Sequence, residues 1–243
     1  MKNIALITAK GTNLSIANKN LIKVERKSFL AWQIVAAQNA KLIDEIFVLT
    51  DDEKIKKEAR KYKATIIDCP SELAQPSTNH GDPIIYGARK AKYILKNNIN
   101  IVTILLGNTS KNRGEDIDIC ITKLINNLDA DSSMTVWKAQ DDHPYRAMSI
   151  GETGYLKSFI EVNNLDSNRQ TYPAVYFYDQ GPWCVRYNSL LKCNRNINGP
   201  ACWWWMGKNC IPVVRNWVTG KDVHSQLDVE IDRCWKKFNL WKY

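Results

Sequence analysis

The residues best suited to chemistry lie in a short loop near the start of the chain. Ala9-Lys10-Gly11-Thr12-Asn13-Leu14-Ser15-Ile16-Ala17-Asn18-Lys19-Asn20 follows the apolar run Ile4-Ala5-Leu6-Ile7-Thr8 and combines a glycine, turn backbone and two lysines. Those are the parts of a triphosphate cradle: N–H groups donate to phosphate oxygens, and ammonium groups offset the charge that develops on a leaving pyrophosphate. The spacing is neither a Walker A loop nor G-x-G-x-x-G, so the residues alone also fit a plain polar connection. Asp222 and Asp228, far along the chain, can hold a divalent cation or serve as N-cap and first-turn acids of a helix running toward Trp235. In His143-Pro144-Tyr145-Arg146 the arginine can face an anionic acceptor or solvent. Trp203-Trp204-Trp205 cannot all point into one core, so at least one is expected at an interface or beside the acceptor.

Positioning these groups requires a frame, and the first half of the chain supplies its pattern. Short β-rich runs alternate with helical periodicity: strand Ile4–Thr8, helix Phe29–Ala40, strand Glu45–Thr50, helix Asp52–Tyr62, strand Thr65–Ile67, helix Pro83–Lys96, strand Ile101–Leu106, helix Glu115–Asn127 and strand Ser133–Lys138. Such alternation predicts an α/β fold, Rossmann-like, with a mostly parallel sheet covered by helices on both faces. Ligands then bind beyond the carboxyl ends of the strands, which points to the loops after Thr8, Thr50 and Leu106. The second half differs. Eight of nine tryptophans lie from Trp137 onward, and 144–187 reads as strands and hairpin turns, a strand-rich arm or cap on a single domain spanning 1–243.

Composition narrows the classes. The chain has 243 residues, 44% hydrophobic and 24% charged, a globular balance that excludes disorder. No apolar run approaches the roughly 20 residues of a membrane span, and no signal-peptide pattern opens the chain, so no membrane insertion and a cytoplasmic location are expected. The net charge of +9 comes from lysines scattered over helical faces, which argues against nucleic acid and suits a small polyanion. Seven cysteines without C-x-x-C spacing predict mostly buried thiols rather than disulfides.

The order of short motifs adds a resemblance. Ala9 to Asn20 stands in register with A-R-G-G-S-K-x-I-x-x-K-N; Leu49-Thr50-Asp51-Asp52-Glu53-Lys54-Ile55 with S-T-D-D-E-x-I; Cys69-Pro70-Ser71-Glu72-Leu73-Ala74 with R-P-x-E-L-A. Leu105 to Ile117 follows L-L-Q-P-T-S-P-L-R-x-x-E-D-I one residue shorter, Arg169 to Tyr176 follows R-Q-x-x-P-x-x-Y, and Asp222 to Asp228 follows D-I-D-x-x-x-D. In these segments, over most of its length, the chain resembles the acylneuraminate cytidylyltransferases, the CMP-sialic acid synthetase family.

The resemblance implies transfer of CMP from CTP to a sialic-acid-like sugar or related anionic acceptor, with release of pyrophosphate, for surface glycan assembly. It implies Mg²⁺, with Mn²⁺ or another divalent ion as the alternative, and a homodimer whose arm brings arginine to the partner's acceptor. By the same resemblance Lys10 and Asp222 are catalytic; Lys10, Gly11, Asn13, Lys19, Asn20 and His80 bind nucleotide; Gly107, Arg169, Gln170 and Trp183 border the acceptor, joined by Arg146 from its place where the chain leaves the main sheet; and Asp222, His224 and Asp228 hold metal. The departures are Cys69 for arginine, His80 for serine, Gly107 for glutamine, His224 for the second metal aspartate, and Asp179-Gln180-Gly181-Pro182-Trp183 for N-G-A-x-Y. They keep two alternatives in view: a changed acceptor or base, and a catalytically silent nucleotide-binding relative.

Overall fold

A computed structural model describes residues 1–12, 16–196, 199–200, 202–215 and 222–240. Asn13, expected to bind nucleotide, lies outside the described residues.

Among the described residues seven strands form the main sheet, in the order β11-β7-β10-β6-β1-β4-β5. They are β1 (Lys2–Thr8), β4 (Glu45–Thr50), β5 (Thr65–Asp68), β6 (Ile99–Leu106), β7 (Ser132–Lys138), β10 (Tyr176–Arg186) and β11 (Cys210–Arg215). Every neighbouring pair is parallel except those of β10, which lies antiparallel between β6 and β7. The pair β2 (Lys23–Val24) and β3 (Lys27–Ser28) follows the first loop, and a small hairpin joins β8 (Met148–Ile150) to β9 (Leu156–Ser158). The edges of the main sheet are the four-residue β5 and β11, which carries Pro212.

Helices cover both faces because the strands are apolar on both sides. Leu30 and Ile34 of α1 (Phe29–Asn39), Ile55 and Ala59 of α2 (Glu53–Lys61), and Ile117, Ile121 and Leu124 of α4 (Gly114–Ile125) pack with Ala5, Ile7, Val48 and Leu105. On the other face Ile84, Ala88 and Ala91 of α3 (Gly81–Leu95) and Leu190 of α5 (Tyr187–Lys192) pack with Ile4, Leu6, Phe47 and Ile104, and Trp205 and Met206 extend that layer. Fully burying each large aliphatic side chain is worth roughly 1.5–3 kcal/mol, so this two-layer core dominates the stability. α6 (Gln226–Phe238) joins through a smaller cluster of Val24, Phe29, Val223 and Val229.

Local signals set the helix starts. The Ser28 side chain accepts from Ala31 N–H at 3.1 Å, and Asp52 from Ile55 N–H at 2.9 Å. At α6 Ser225 and Asp228 form a capping box, each side chain accepting from the other's backbone.

Two expectations change. The arm ends well before Tyr187, because Tyr176–Arg186 is an inner strand of the main sheet; the excursion comprises the β8–β9 hairpin and single helical turns at Pro144–Arg146 and Arg169–Thr171. Only Cys120 and Cys184 are buried among the seven cysteines, all of which are free thiols.

Candidate active site

Thr8 pairs with Leu49 on one side and Leu106 on the other, so three strands end level with one another. The chain turns right from β1 to β4 and β5, then returns to the left for β6. That reversal makes a crevice at the carboxyl ends of the strands. Backbone bonds fix the three exits relative to each other: Ala9 N–H donates to Leu49 O, and Gly107 N–H to Thr8 O, both at 3.0 Å. A cleft of about 630 Å³ opens there, with walls that include Thr8, Lys10, Asn20, Asp51, His80 and Gly107.

Two glycines shape it by close approach. A Cβ on Gly11 would lie 2.8 Å from Asp52 Cβ, and the bare backbone instead donates to Asp51 Oδ1 at 2.9 Å. A Cβ on Gly107 would lie 2.9 Å from Ala9 Cβ and 3.3 Å from Thr8 O. Lys10 Nζ reaches across the mouth to Gln75 O at 3.0 Å, while the buried Asn20 amide donates to Lys10 O at 2.7 Å and holds the loop over β1.

His80 forms part of the inner wall. Its Nε2 lies 3.3 Å from Thr8 Oγ1, and its ring meets Trp205 and Trp183 edge-on at 5.7 and 6.4 Å between centroids. Burial, with a smaller contribution from Lys10, pushes this imidazole down to about 4, so it is neutral at physiological pH. Trp183, expected beside an acceptor, is instead a core residue at 1% exposure; its indole N–H donates to Asp179 O at 2.9 Å, and its ring stands behind His80. The tryptophan triplet resolves similarly. Trp205 is buried, Trp203 and Trp204 are half-buried, and Trp204 Nε1 donates to Asn79 Oδ1 at 2.9 Å beside His80.

Lys19 and Asp222 come together from opposite ends of the sequence, next to Asn20 of the cleft wall, although neither lines the cleft itself. Lys19 is buried and donates to Val223 O at 2.7 Å, with Asp222 Oδ1 3.7 Å away. Lys19 thus anchors the segment leading into α6 rather than bracketing the cleft opposite Lys10. Burial raises the Asp222 carboxyl, an effect that Lys19 and the Val223 N–H partly reverse. His224 is largely exposed, its Nε2 3.5 Å from Asp222 Oδ2. Burial would also raise Asp228, but the Ser225 hydroxyl and the N–H groups of His224 and Ser225 outweigh it and hold that carboxyl low.

These donors bear on the expected metal. Asp228 Oδ2 is occupied by capping, and imidazole is a poor ligand for a hard ion. Among the described residues no group of three or more His, Cys, Asp or Glu could hold a metal ion. A single carboxylate, Asp222, still suits Mg²⁺, which takes one or two protein carboxylates and completes its shell with water and phosphate oxygens.

Arg146, Arg169 and Gln170 are not brought to this cleft. Both arginines converge on Asp141, at 3.4 and 3.6 Å, and Arg169 donates to Gln140 Oε1 at 2.8 Å. Arg169 and Gln170 line a separate cleft with His143 and Tyr172 at the base of the hairpin. Conversely Thr8, Asp51 and Asn108 line the main cleft although no motif singled them out as ligand groups; their signal was position, at or within two residues after a strand's carboxyl end.

With this geometry in place the comparisons become informative. No protein-family model matches the chain. It is 24% identical to the post-translational flagellin modification protein B of Campylobacter coli over 230 residues, 94% of this chain and 92% of that one. Shorter stretches are more alike: 35% over 63 residues with the CMP-N,N'-diacetyllegionaminic acid synthase of Campylobacter jejuni, and 41% over 64 residues with a pseudaminic acid cytidylyltransferase of that species. Each of these covers 26% of this chain, and they span only 27% and 28% of the two relatives. In these stretches the chain is similar in sequence to cytidylyltransferases.

Solved structures share the fold. CMP:2-keto-3-deoxy-manno-octonic acid synthetase, solved with CTP, superposes with a TM-score of 0.71 at 12% identity over 98% of this chain and 100% of that one. A 4-diphosphocytidyl-2C-methyl-D-erythritol synthase gives 0.66 at 12% identity over 96% and 97%. At such identities the likeness is one of fold, and it bears out the mostly parallel sheet with helices on both faces. Among the described residues no helix is long and apolar enough to cross a membrane.

Proposed function

We propose that the chain transfers CMP from CTP to an acidic, sialic-acid-like sugar and releases pyrophosphate, in the cytoplasm, for surface glycan assembly. The observation that carries this reading is the convergence of the exits of β1, β4 and β6 on one cleft at the point where strand order reverses, with Lys10 at its mouth and Asn20 holding the loop. The names of the relatives, which act on legionaminic and pseudaminic acids, support the same acceptor class. In the reaction a sugar hydroxyl attacks the α-phosphorus and gives up its proton to solvent, the bond to the bridging oxygen breaks, and pyrophosphate takes the electron pair. Lys10 offsets the charge that grows on that leaving group, and the loop's N–H groups orient it. Asp222 is the group that would hold Mg²⁺ together with phosphate oxygens; the ion supplies further charge neutralisation when bound.

His80, neutral and backed by indoles, offers the nucleoside an uncharged polar wall, and Cys69 stands where the family has arginine. Base preference therefore rests on His80 and Cys69 rather than on an arginine. Pyrophosphate release across the four nucleoside triphosphates and a panel of acidic sugars tests both preferences. Lys10→Ala should lower kcat roughly 100-fold or more, in line with other preorganised charges, and Asp222→Asn should abolish metal-dependent turnover. Unchanged turnover in Lys10→Ala overturns the assignment.

The same reading includes a homodimer. The hairpin exposes Met148, Ile150, Tyr155, Leu156 and Phe159, an apolar surface that a second copy would cover, and Arg146 and Arg169 lie beside it. Light scattering tests the dimer. Partial recovery of activity on mixing Lys10→Ala with Arg169→Ala subunits tests whether sites are shared.

A further inference from the structure

Trp204 stands behind the wall of the cleft at Lys10 rather than in it, yet it is bonded to the segment that builds that wall. The segment, residues 75–81, runs from the mouth of the cleft to its inner side. Gln75 O accepts from Lys10 Nζ at 3.0 Å, and further along His80 lines the cleft with its Nε2 3.3 Å from Thr8 Oγ1. Between them Asn79 Oδ1 takes two donors, the backbone N–H of Gly81 at 3.1 Å and Nε1 of Trp204 at 2.9 Å. Asn79 and Gly81 flank His80, so one carboxamide pins the chain on both sides of the imidazole.

Packing tightens the same point. Gly81 lies so close to the tryptophan triplet that a Cβ there would come within 2.5 Å of Trp204 Cζ2 and 2.9 Å of Trp205 Cε3. The His80 ring meets Trp205 and Trp183 edge-on, and both of those indoles are buried in the close-packed core, which fixes them. Trp204 is only half-buried and Asn79 is exposed, so their bond is the part of the arrangement that can be broken without opening the core. A binding group works when the residues behind it hold it within about 0.5 Å of its productive place.

We propose that Trp204 is a positioning residue for nucleotide binding: through Asn79 it sets His80 in the cleft wall, and so tunes affinity for CTP without touching it. The proposal rests on the reading of this cleft as the CTP site. It gives the middle tryptophan of the triplet a task that burial alone does not, since a ring kept only for packing has no use for an N–H directed at an exposed carboxamide.

Calorimetric titration of the full chain with CTP, together with the imidazole NMR signal of His80 followed against pH, tests the proposal. The chain has three histidines, so comparison with His80→Gln assigns the signal directly. Trp204→Phe keeps the ring and drops the N–H; Asn79→Ala removes the acceptor from an exposed position and guards against a folding defect, with the circular dichroism melt as the check. Each should weaken CTP roughly fivefold, as loss of one neutral hydrogen bond does, and the double variant should bind no more weakly than either single, because both break the same contact. The His80 signal, held to about 4 by burial and Lys10, should titrate higher in both as water reaches the ring. If either single variant binds CTP within about twofold of the wild type, if the two losses add, or if CTP weakens while the His80 signal stays in place, Trp204 only packs and the proposal falls. A wild-type chain that binds no CTP defeats the reading of the cleft instead, and the His80 signal then decides the positioning by itself.

Discussion

Lys111→Met should destabilise the protein far more than a substitution in a connecting loop ordinarily does. Lys111 and Asp232 form an ion pair at 2.9 Å with side chains 4% and 0% exposed. At that separation and an effective dielectric of about 20 the attraction is roughly 6 kcal/mol, set against a desolvation cost of several kcal/mol per ion. Removing the cation leaves the cost on Asp232 without the attraction, and such breaks typically lose about 3–5 kcal/mol. Asp232 retains Ser110 N–H at 3.1 Å and lies near Lys236, which places the loss toward the lower end of that range. For a chain of this size each kcal/mol moves the melting temperature by about 2–4 °C, so a drop of roughly 6–12 °C is expected, with a matching fall in the urea midpoint at unchanged slope. Lys111→Met/Asp232→Leu removes the stranded charge but orphans Ser110, worth about 1–3 kcal/mol, and should melt above Lys111→Met alone. A loss below about 1 kcal/mol in Lys111→Met, or a double variant that melts lower still, would refute the reasoning.

The remaining expectations concern pH and packing. His80 is held to about 4 in the fold against 6.5 in the free side chain, so the unfolded chain takes up the extra proton and stability should rise with pH between about 4 and 6.5; His80→Gln should flatten that limb in urea midpoints taken across it. Asp179 runs the other way: burial, opposed by Arg215, raises it from 3.8 to about 6, the folded form binds the extra proton, and its contribution to stability should fall as pH climbs from 4 to 6, a slope that Asp179→Asn removes. Gly107→Ala forces a Cβ to within 2.9 Å of Ala9 Cβ and should part the ends of β1 and β6, weakening CTP binding about tenfold by titration while unfolding stays cooperative.

The sequence reading followed the fold closely wherever one periodicity ruled a segment. The helix expected from Phe29 ends at Asn39, the strand Glu45–Thr50 is reproduced, and the loops after Thr8, Thr50 and Leu106 are the three that meet at the cleft. The limit came with long-range pairing. Tyr176–Arg186 reads as one more aromatic strand of an arm, and only its pairing with both β6 and β7 makes it central. Trp183 followed it into the core, since alternation along a strand does not say which sheet covers either face. Lys19 was legible as a charged loop residue but not as a buried one, because its partner, Val223 O, lies 204 positions away.

Pro212 and the brevity of β5 govern how this molecule behaves in a crowd. A sheet offers neighbours a row of open N–H and C=O groups at each edge, and long flat edges recruit foreign strands. Here, among the described residues, one edge strand lacks an N–H at Pro212, and the other is only four residues long and ends in the exposed Asp68. Both flanks are therefore poor templates, and lateral growth into fibrils is disfavoured even at high expression. Replacing Pro212 by valine would restore a continuous β-branched edge from Ile211 to Val214, turning a self-limiting particle into one prone to edge-to-edge accretion on storage.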